Sequence, residues 1–382
     1  MAPKKSPKKS PKKSSFLSLS WQGRLDDYVT AMDWSPDDQW LALASGSGEV
    51  MLLNIAQKQT IVLEPPSNAS IDCLGFSYDG QFLAAGGQNG QVKVWQMPPL
   101  DSTTESAPEP ASESPPESAR PKLIKVLEHS RTWVDHLAWS PTRNELAFSL
   151  ERYVQVWDMA RVEILATLPF ENSSVFAIAW HPNGEQLAIS GHLGVKIWSR
   201  SDWDNDPKVQ ELPAAGLAIA ISPDGQYLAA GNLDNTLVMW SWDSPHPWRM
   251  TGFPAKVSHL AWADPARTST PTVAASSGPG IIIWRKLLTD EAGWVSRFLD
   301  FHQKKVIALA FQPGSKLLAS AAEDGKVILW HKAKTLGQVL EGTAKGFSTL
   351  AWNRAGNRLA AGGARGEWLI WKQDKRGKGF RR

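Results

Sequence analysis

Cysteine is almost missing from this 382-residue chain: Cys73 stands alone, so no disulfide can form within it, as expected of a protein from a reducing compartment. No run of 18 apolar residues occurs, which leaves no segment able to cross a membrane as a helix. The N-terminus is Lys-rich and then Ser-rich, without the apolar core of a secretory signal. The eight histidines are scattered, and no Cys/His cluster has metal-ligand spacing. A P-loop and a G-x-S-x-G nucleophile elbow are both absent. Gly46-Ser47-Gly48 and Gly86-Gly87 read as turn glycines, because no helix follows them to cradle a phosphate. The expectation is therefore no catalytic residues, no metal, no cofactor and no small-molecule substrate.

What the chain has in excess is tryptophan, 20 in all, and repetition. The stretch Leu217 to Trp240, LAIAISPDGQYLAAGNLDNTLVMW, reads as three short apolar strands punctuated by SPDG and NLDN turns. Copies recur at a nearly fixed period. Third strands close at Asn54, Trp95, Trp157, Trp198, Trp240, Trp284, Trp330 and Trp371, with spacings of 41, 62, 41, 42, 44, 46 and 41. First strands end at Trp34, Phe76, Trp139, Trp180, Ile221, Trp262, Phe311 and Trp352, so eight units are counted twice over. Twelve of the 20 tryptophans close a first or third strand, where a large flat ring packs between neighbouring units. Outer strands follow at QTIVLE 59–64, LIKVLE 123–128, VEILATL 162–168 and WVSRFL 294–299.

The period, the SPDG-type turn, the turn aspartates Asp234 and Asp324 and the V-x-V-W ending resemble the WD-repeat β-propeller family over roughly residues 15–372. The resemblance implies an all-β, eight-bladed propeller of four-stranded antiparallel blades. The match is degenerate: only Trp157-Asp158 reads Trp-Asp, and only His129 and His302 stand where the family's structural histidine would. The family's Asp–His–Ser/Thr–Trp hydrogen-bond network is thus mostly incomplete, which leaves stability to packing. The last unit lacks an outer strand after Trp371, and SFLSLS at 15–20 is the spare one. The N-terminal strand would complete blade eight and remove the open edges.

Three segments stand outside the repeat. Residues 1–14 hold Lys4, Lys5, Lys8, Lys9, Lys12 and Lys13 in an iterated SPKK pattern similar to basic DNA-compacting tails. Residues 373–382 hold Lys375, Arg376, Lys378, Arg381 and Arg382. Because the whole chain carries only +3, the body between is acidic. The insertion at 97–121 is rich in Pro, Ser, Glu and Ala. Its Glu105, Glu109, Glu113 and Glu117 recur every fourth residue, but interspersed prolines exclude a regular helix, so it reads as a disordered acidic linker. The two basic tails and the insertion are expected on one face, where the insertion would screen the tails.

The same face carries loops with Trp203 and Trp242, outside every repeat position and candidates for partner contact. On the opposite face, family position points to Tyr28, Trp133, Tyr153, Phe176, Lys256, Lys305 and Phe347, an aromatic and basic set suited to an acidic, apolar peptide. The expected function is a cytoplasmic, monomeric, non-catalytic scaffold for protein or peptide partners. The alternative is a polyanion-directed adaptor whose tails dock nucleic acid or an anionic membrane surface, with nuclear placement if the host is nucleated. A propeller enzyme is the rival class, since eight-bladed propellers include quinone-dependent dehydrogenases. Those carry adjacent cysteines and an export signal, unlike this sequence.

Overall fold

The computed structural model describes residues 16–99, 120–171, 173–242, 244, 246–264, 270–289 and 292–374. The lysines of residues 1–14, the basic residues after Asp374 and most of the acidic insertion lie outside that set. Among the described residues there is no helix, and 32 strands form eight four-stranded antiparallel sheets.

Blades one, two and five share one local recipe at their first turn. An inner strand runs into a turn whose serine hydroxyl bonds the aspartate two residues on, as Ser77 does with Asp79 at 2.7 Å. The same hydroxyl then accepts the N–H of the first residue of the next strand, Phe82, at 3.0 Å. Such side-chain bonds fix the turn and hence the register of the pair. Second strands, such as Trp40–Ser45 and Phe82–Gly87, are buried on both faces and accordingly rich in Ala, Leu and Gly. Third strands alternate Val, Leu and Ile with the closing Trp. Outer strands are exposed on one side: in Gln59–Glu64 the residues Gln59, Thr60 and Val62 face solvent, while Glu64 is half-buried against Lys93.

The first strands of neighbouring blades touch one another, which places them at the centre of the ring. Their tryptophans do more than pack. The indole N–H of Trp139 donates to the Gly75 carbonyl of the preceding blade at 2.8 Å, and Trp180 reaches Ala138 at 3.1 Å. Trp262, Trp352 and Trp34 make the same bond to Ala220, Ala310 and Ala351. Packing alone was the expectation; five seams are in fact also stitched by a partly buried directional bond, each contributing about 1 kcal/mol. The Asp–His–Ser–Trp network is complete in blade seven. There His302 Nδ1 lies 3.0 Å from Asp324, His302 Nε2 lies 2.8 Å from Ser320 Oγ, and the Trp330 indole donates to that same oxygen at 2.9 Å. His129, in the matching place of blade three, has a buried Nε2 without a partner and rests against Phe148 instead.

Closure is as the count of outer strands required. The N-terminal strand β1 (Leu17–Arg24) pairs antiparallel with β32 (Glu367–Gln373). It is longer than the sequence suggested and runs four residues further along, with a register shift between Leu19 and Trp21. Trp21 meets Trp368 edge-on at 5.0 Å across the join.

Candidate functional site

Antiparallel blades sort their loops onto two faces. One face is built from the connections into first strands and the short second-to-third strand turns. On that face the inner strands of blades one, two and five to eight each carry a bulge after their first residue, as between Val29 and Ala31 or Ile71 and Cys73. A bulge re-aims one side chain per strand. The residues so placed are Thr30, Asp72, Leu217, Ser258, Ile307 and Ser348. Two of them reach across seams: Thr30 Oγ1 donates to the Ile71 carbonyl at 2.5 Å, and Ser348 Oγ to the Val29 carbonyl at 2.5 Å.

Around this mouth Trp133 is 55% exposed and Tyr28 41% exposed, so both rings face solvent. Tyr28 lies over Gly46; a Cβ there would sit 2.2 Å from the ring, so glycine is what lets the tyrosine lie down. Tyr153 and Phe176 are half-buried, with Tyr153 packed against the core of blades two and three. Lys256 and Lys305 are exposed on adjacent blades six and seven. Phe347 does not belong to this set. It is 2% exposed and packs against Trp371 at 6.3 Å. It pairs with Gly363 just as Val29 pairs with Ser45, so it occupies the core position of its blade, and Gly346 stands where Tyr28 and Trp133 stand in theirs.

The sequence pattern did not point to the acidic side of the mouth. Asp72 and Asp135 occupy equivalent places in blades two and three, with Ser70 Oγ donating to Asp72 at 2.6 Å. Burial raises the Asp135 carboxyl above its ordinary range; His136 pulls it down, while Asp72 and Glu151 add to the rise. Burial likewise lowers His136, against the pull of these two carboxylates. Opposite, burial and the charge of Lys305 bring His259 down to about 4. Blades two and six, and three and seven, are four apart in a ring of eight. The mouth is therefore bipolar, carboxylates facing lysines across the channel. An alignment of the eight first strands, position by position, carries the signal that aromatic residues alone do not.

At the other end of the channel, Asp33, Trp34, Tyr78, Pro141, Trp352 and Arg354 line a cavity of about 350 Å³. Trp203 and Trp242, also on that side, are held by the fold. Trp203 packs edge-on against Trp180 at 6.1 Å, and the Trp242 indole donates to Gln186 at 2.9 Å while its ring lies tilted against His181 at 4.5 Å. Both are half-buried, so what they offer a partner is a rim and not a free ring.

A closed eight-bladed β-propeller, presenting loop-built surfaces at both ends of a central channel, is the class of protein these features define. The family model "WD domain, G-beta repeat" matches residues 17–52, 57–96, 162–199, 212–241 and 293–331, and the chain belongs to the WD-repeat β-propeller family. Among solved structures it is similar to Sqt1 from Chaetomium thermophilum, with a TM-score of 0.78 at 18% identity, covering 94% of this chain and all of that one. Sqt1 bound to the N-terminus of ribosomal protein L10 superposes with a TM-score of 0.75, also at 18% identity, over 91% of this chain and 97% of that one. Among curated proteins, the chromatin assembly factor 1 subunit FAS2 homolog of Oryza sativa subsp. japonica is 29% identical over 155 residues, 38% of this chain and 31% of that protein. Protein HIR1 of Kluyveromyces lactis is 28% identical over 173 residues, 37% of this chain and 19% of that protein. The match thus spans about a third or less of these curated relatives.

Proposed function

We propose that this propeller is a non-catalytic adaptor of the cytoplasm that grips an extended peptide at the bipolar mouth. The observation that carries this reading is the opposition of Lys256 and Lys305 to Asp72 and Asp135, with Trp133 and Tyr28 exposed beside the carboxylates. A peptide with an acidic end, a basic end and apolar residues between them complements that arrangement. Flat aromatic rings at a rim favour such contacts. The complex of Sqt1 with the N-terminus of ribosomal protein L10 supports a peptide as the partner class. The sole Cys73, buried and with its thiol pushed up by burial, suits a reducing compartment.

The test is selection from a random peptide library on immobilised protein, repeated with Lys256→Glu/Lys305→Glu. Enriched peptides should carry separated acidic and basic residues, and the charge reversal should exchange the acidic end for a basic one. Peptides unchanged by the reversal would overturn the reading.

A second reading, docking on a polyanion through the tails, is favoured by one observation. The Asp374 N–H donates to the Phe16 carbonyl at 3.1 Å, so both basic segments depart from one point. The insertion after β8 (Gln91–Gln96) departs from that same face, consistent with the acidic segment screening the tails. Deleting residues 100–119 should then strengthen binding to DNA at low salt.

A further inference from the structure

The basic charge of this protein is not confined to its tails. A groove of about 230 Å³ opens at the seam between blades six and seven, on the face from which the tails depart. Its walls carry Arg285, Arg297, Lys316, Lys332 and Lys334, and no acidic residue lines it among the described residues. Arg285 pairs with Val295 and Arg297 with Ile283 in β24 (Gly280–Lys286) and β25 (Trp294–Leu299), so the two arginines are diagonal neighbours on one sheet face. Lys316 comes from the first turn of blade seven, and Lys332 and Lys334 from its third. These positions lie in separate stretches of the sequence, and only the packing of two blades gathers them.

Several cations elsewhere among the described residues are neutralised. Arg200 pairs with Glu145, Arg143 with Glu185 at 2.6 Å, Lys93 with Glu64 at 2.6 Å and Arg249 with Asp234 at 3.2 Å. None of the five groove cations makes an ion pair among the described residues, and four of them are exposed. The fifth, Lys316, is half-buried with Nζ 3.4 Å from the Thr270 carbonyl. Burial, with Arg285 and Lys334 close by, lowers its pKa. Five like charges in one recess repel each other, and that cost is relieved when an anion fills it.

We propose that this groove binds the phosphodiester backbone of a nucleic acid without reading its bases. The lining explains the second half of the statement: Ile283, Val295 and Ala333 are its apolar residues, and it contains no aromatic ring on which a base could stack. A run of cations shared between two blades fits a row of phosphates better than one isolated anion. The chain enters β1 next to blade seven, where Gln338 bonds the backbone of Phe16 and Leu17, so the tails would extend the same contact. The groove is nevertheless a site in its own right, independent of both the mouth and the tails.

The experiment is fluorescence anisotropy of a labelled 30-base-pair DNA duplex with the full-length protein at low salt. Variants are Arg285→Glu/Arg297→Glu, Lys332→Ala/Lys334→Ala and a chain in which the six N-terminal lysines are replaced by Gln. Either groove variant should weaken binding tenfold or more, and flatten the log–log salt dependence by about 0.9 for each phosphate no longer neutralised. The weakening should persist in the Gln-substituted background and be indifferent to duplex sequence. Unchanged melting confirms that each exposed double variant is folded. Wild-type DNA binding by both groove variants, or loss only on neutralising the tail, would overturn the proposal. So would a groove-dependent interaction with phosphatidylserine vesicles that duplex DNA cannot displace. Peptide selection at the mouth reads the other proposal separately, because neither groove pair lies near it.

Discussion

The side-chain amide of Gln338 clasps the backbone of Leu17, accepting its N–H at 3.0 Å and donating to its carbonyl at 2.7 Å, across 321 residues of chain. The same oxygen accepts the Phe16 N–H at 2.9 Å. Blade seven thereby holds the strand that closes blade eight. Gln338→Ala leaves those backbone groups half-buried and unpaired, at a cost of about 1–3 kcal/mol. The expected result is a lower thermal midpoint, with removal of residues 1–24 producing aggregation through the exposed edge of β32. Removing residues 1–15 alone should leave the midpoint in place.

Phe347 and Trp133 were grouped together by sequence and separated by the structure. Phe347→Ala empties a core site and should lower unfolding free energy by about 3–5 kcal/mol. Trp133→Ala should stay within about 0.5 kcal/mol of the parent, as surface changes do, while weakening peptide capture. Chemical denaturation of the two variants side by side checks both statements.

Blade seven allows a test of its network by double-mutant cycle. Burial holds His302 below its ordinary pKa despite the hydrogen bond to Asp324, so at neutral pH this is a hydrogen-bonded chain. His302→Ala and Ser320→Ala should each cost about 1–3 kcal/mol. The double variant should cost less than their sum by at least about 0.5 kcal/mol, because Ser320 is the shared partner of His302 and Trp330. Strict additivity would show the bonds to be independent.

Two buried groups give stability opposite slopes against pH. Burial pushes Asp33 up to about 6 from 3.8, so the folded state binds the extra proton between these values and this contribution fades as pH rises through 6. His259 falls to about 4 from 6.5, so here the unfolded state binds the extra proton and stability drops as pH falls from 6.5 toward 4. Each is worth on the order of 3 kcal/mol across its window. Asp33→Asn should therefore gain stability relative to the parent as pH rises from 4 to 6, and His259→Gln should lose it over the same range. Urea midpoints at half-unit pH steps read both trends.

Trp242→Ala tests a rim and not a free surface. The loss of its bond to Gln186 and its tilted ring contact with His181 should cost about 1–2 kcal/mol. Equal stability with the parent would show that the ring contributes nothing to the fold.

The sequence by itself determined the architecture. Eight copies of one three-strand unit, spaced 41–46 residues apart except for the 62 that spans the insertion, leave few ways to bury the faces other than a ring. The missing outer strand after Trp371 identified its own substitute near residue 17, because an unpaired edge must be covered. These are local or counted properties, and counting survives degeneration of the motif. What only the tertiary structure decided concerns residues that meet across seams. The Trp139 bond to Gly75, the opposition of Asp135 to Lys305 and the gathering of Arg285, Arg297, Lys316, Lys332 and Lys334 each depend on which blade follows which and at what register. A shift of one residue turned Phe347 from rim to core, since neighbouring positions in a strand face opposite ways. Side chains that belong to different repeats have no spacing to be read along the chain, and in this protein the candidate surfaces are built from them.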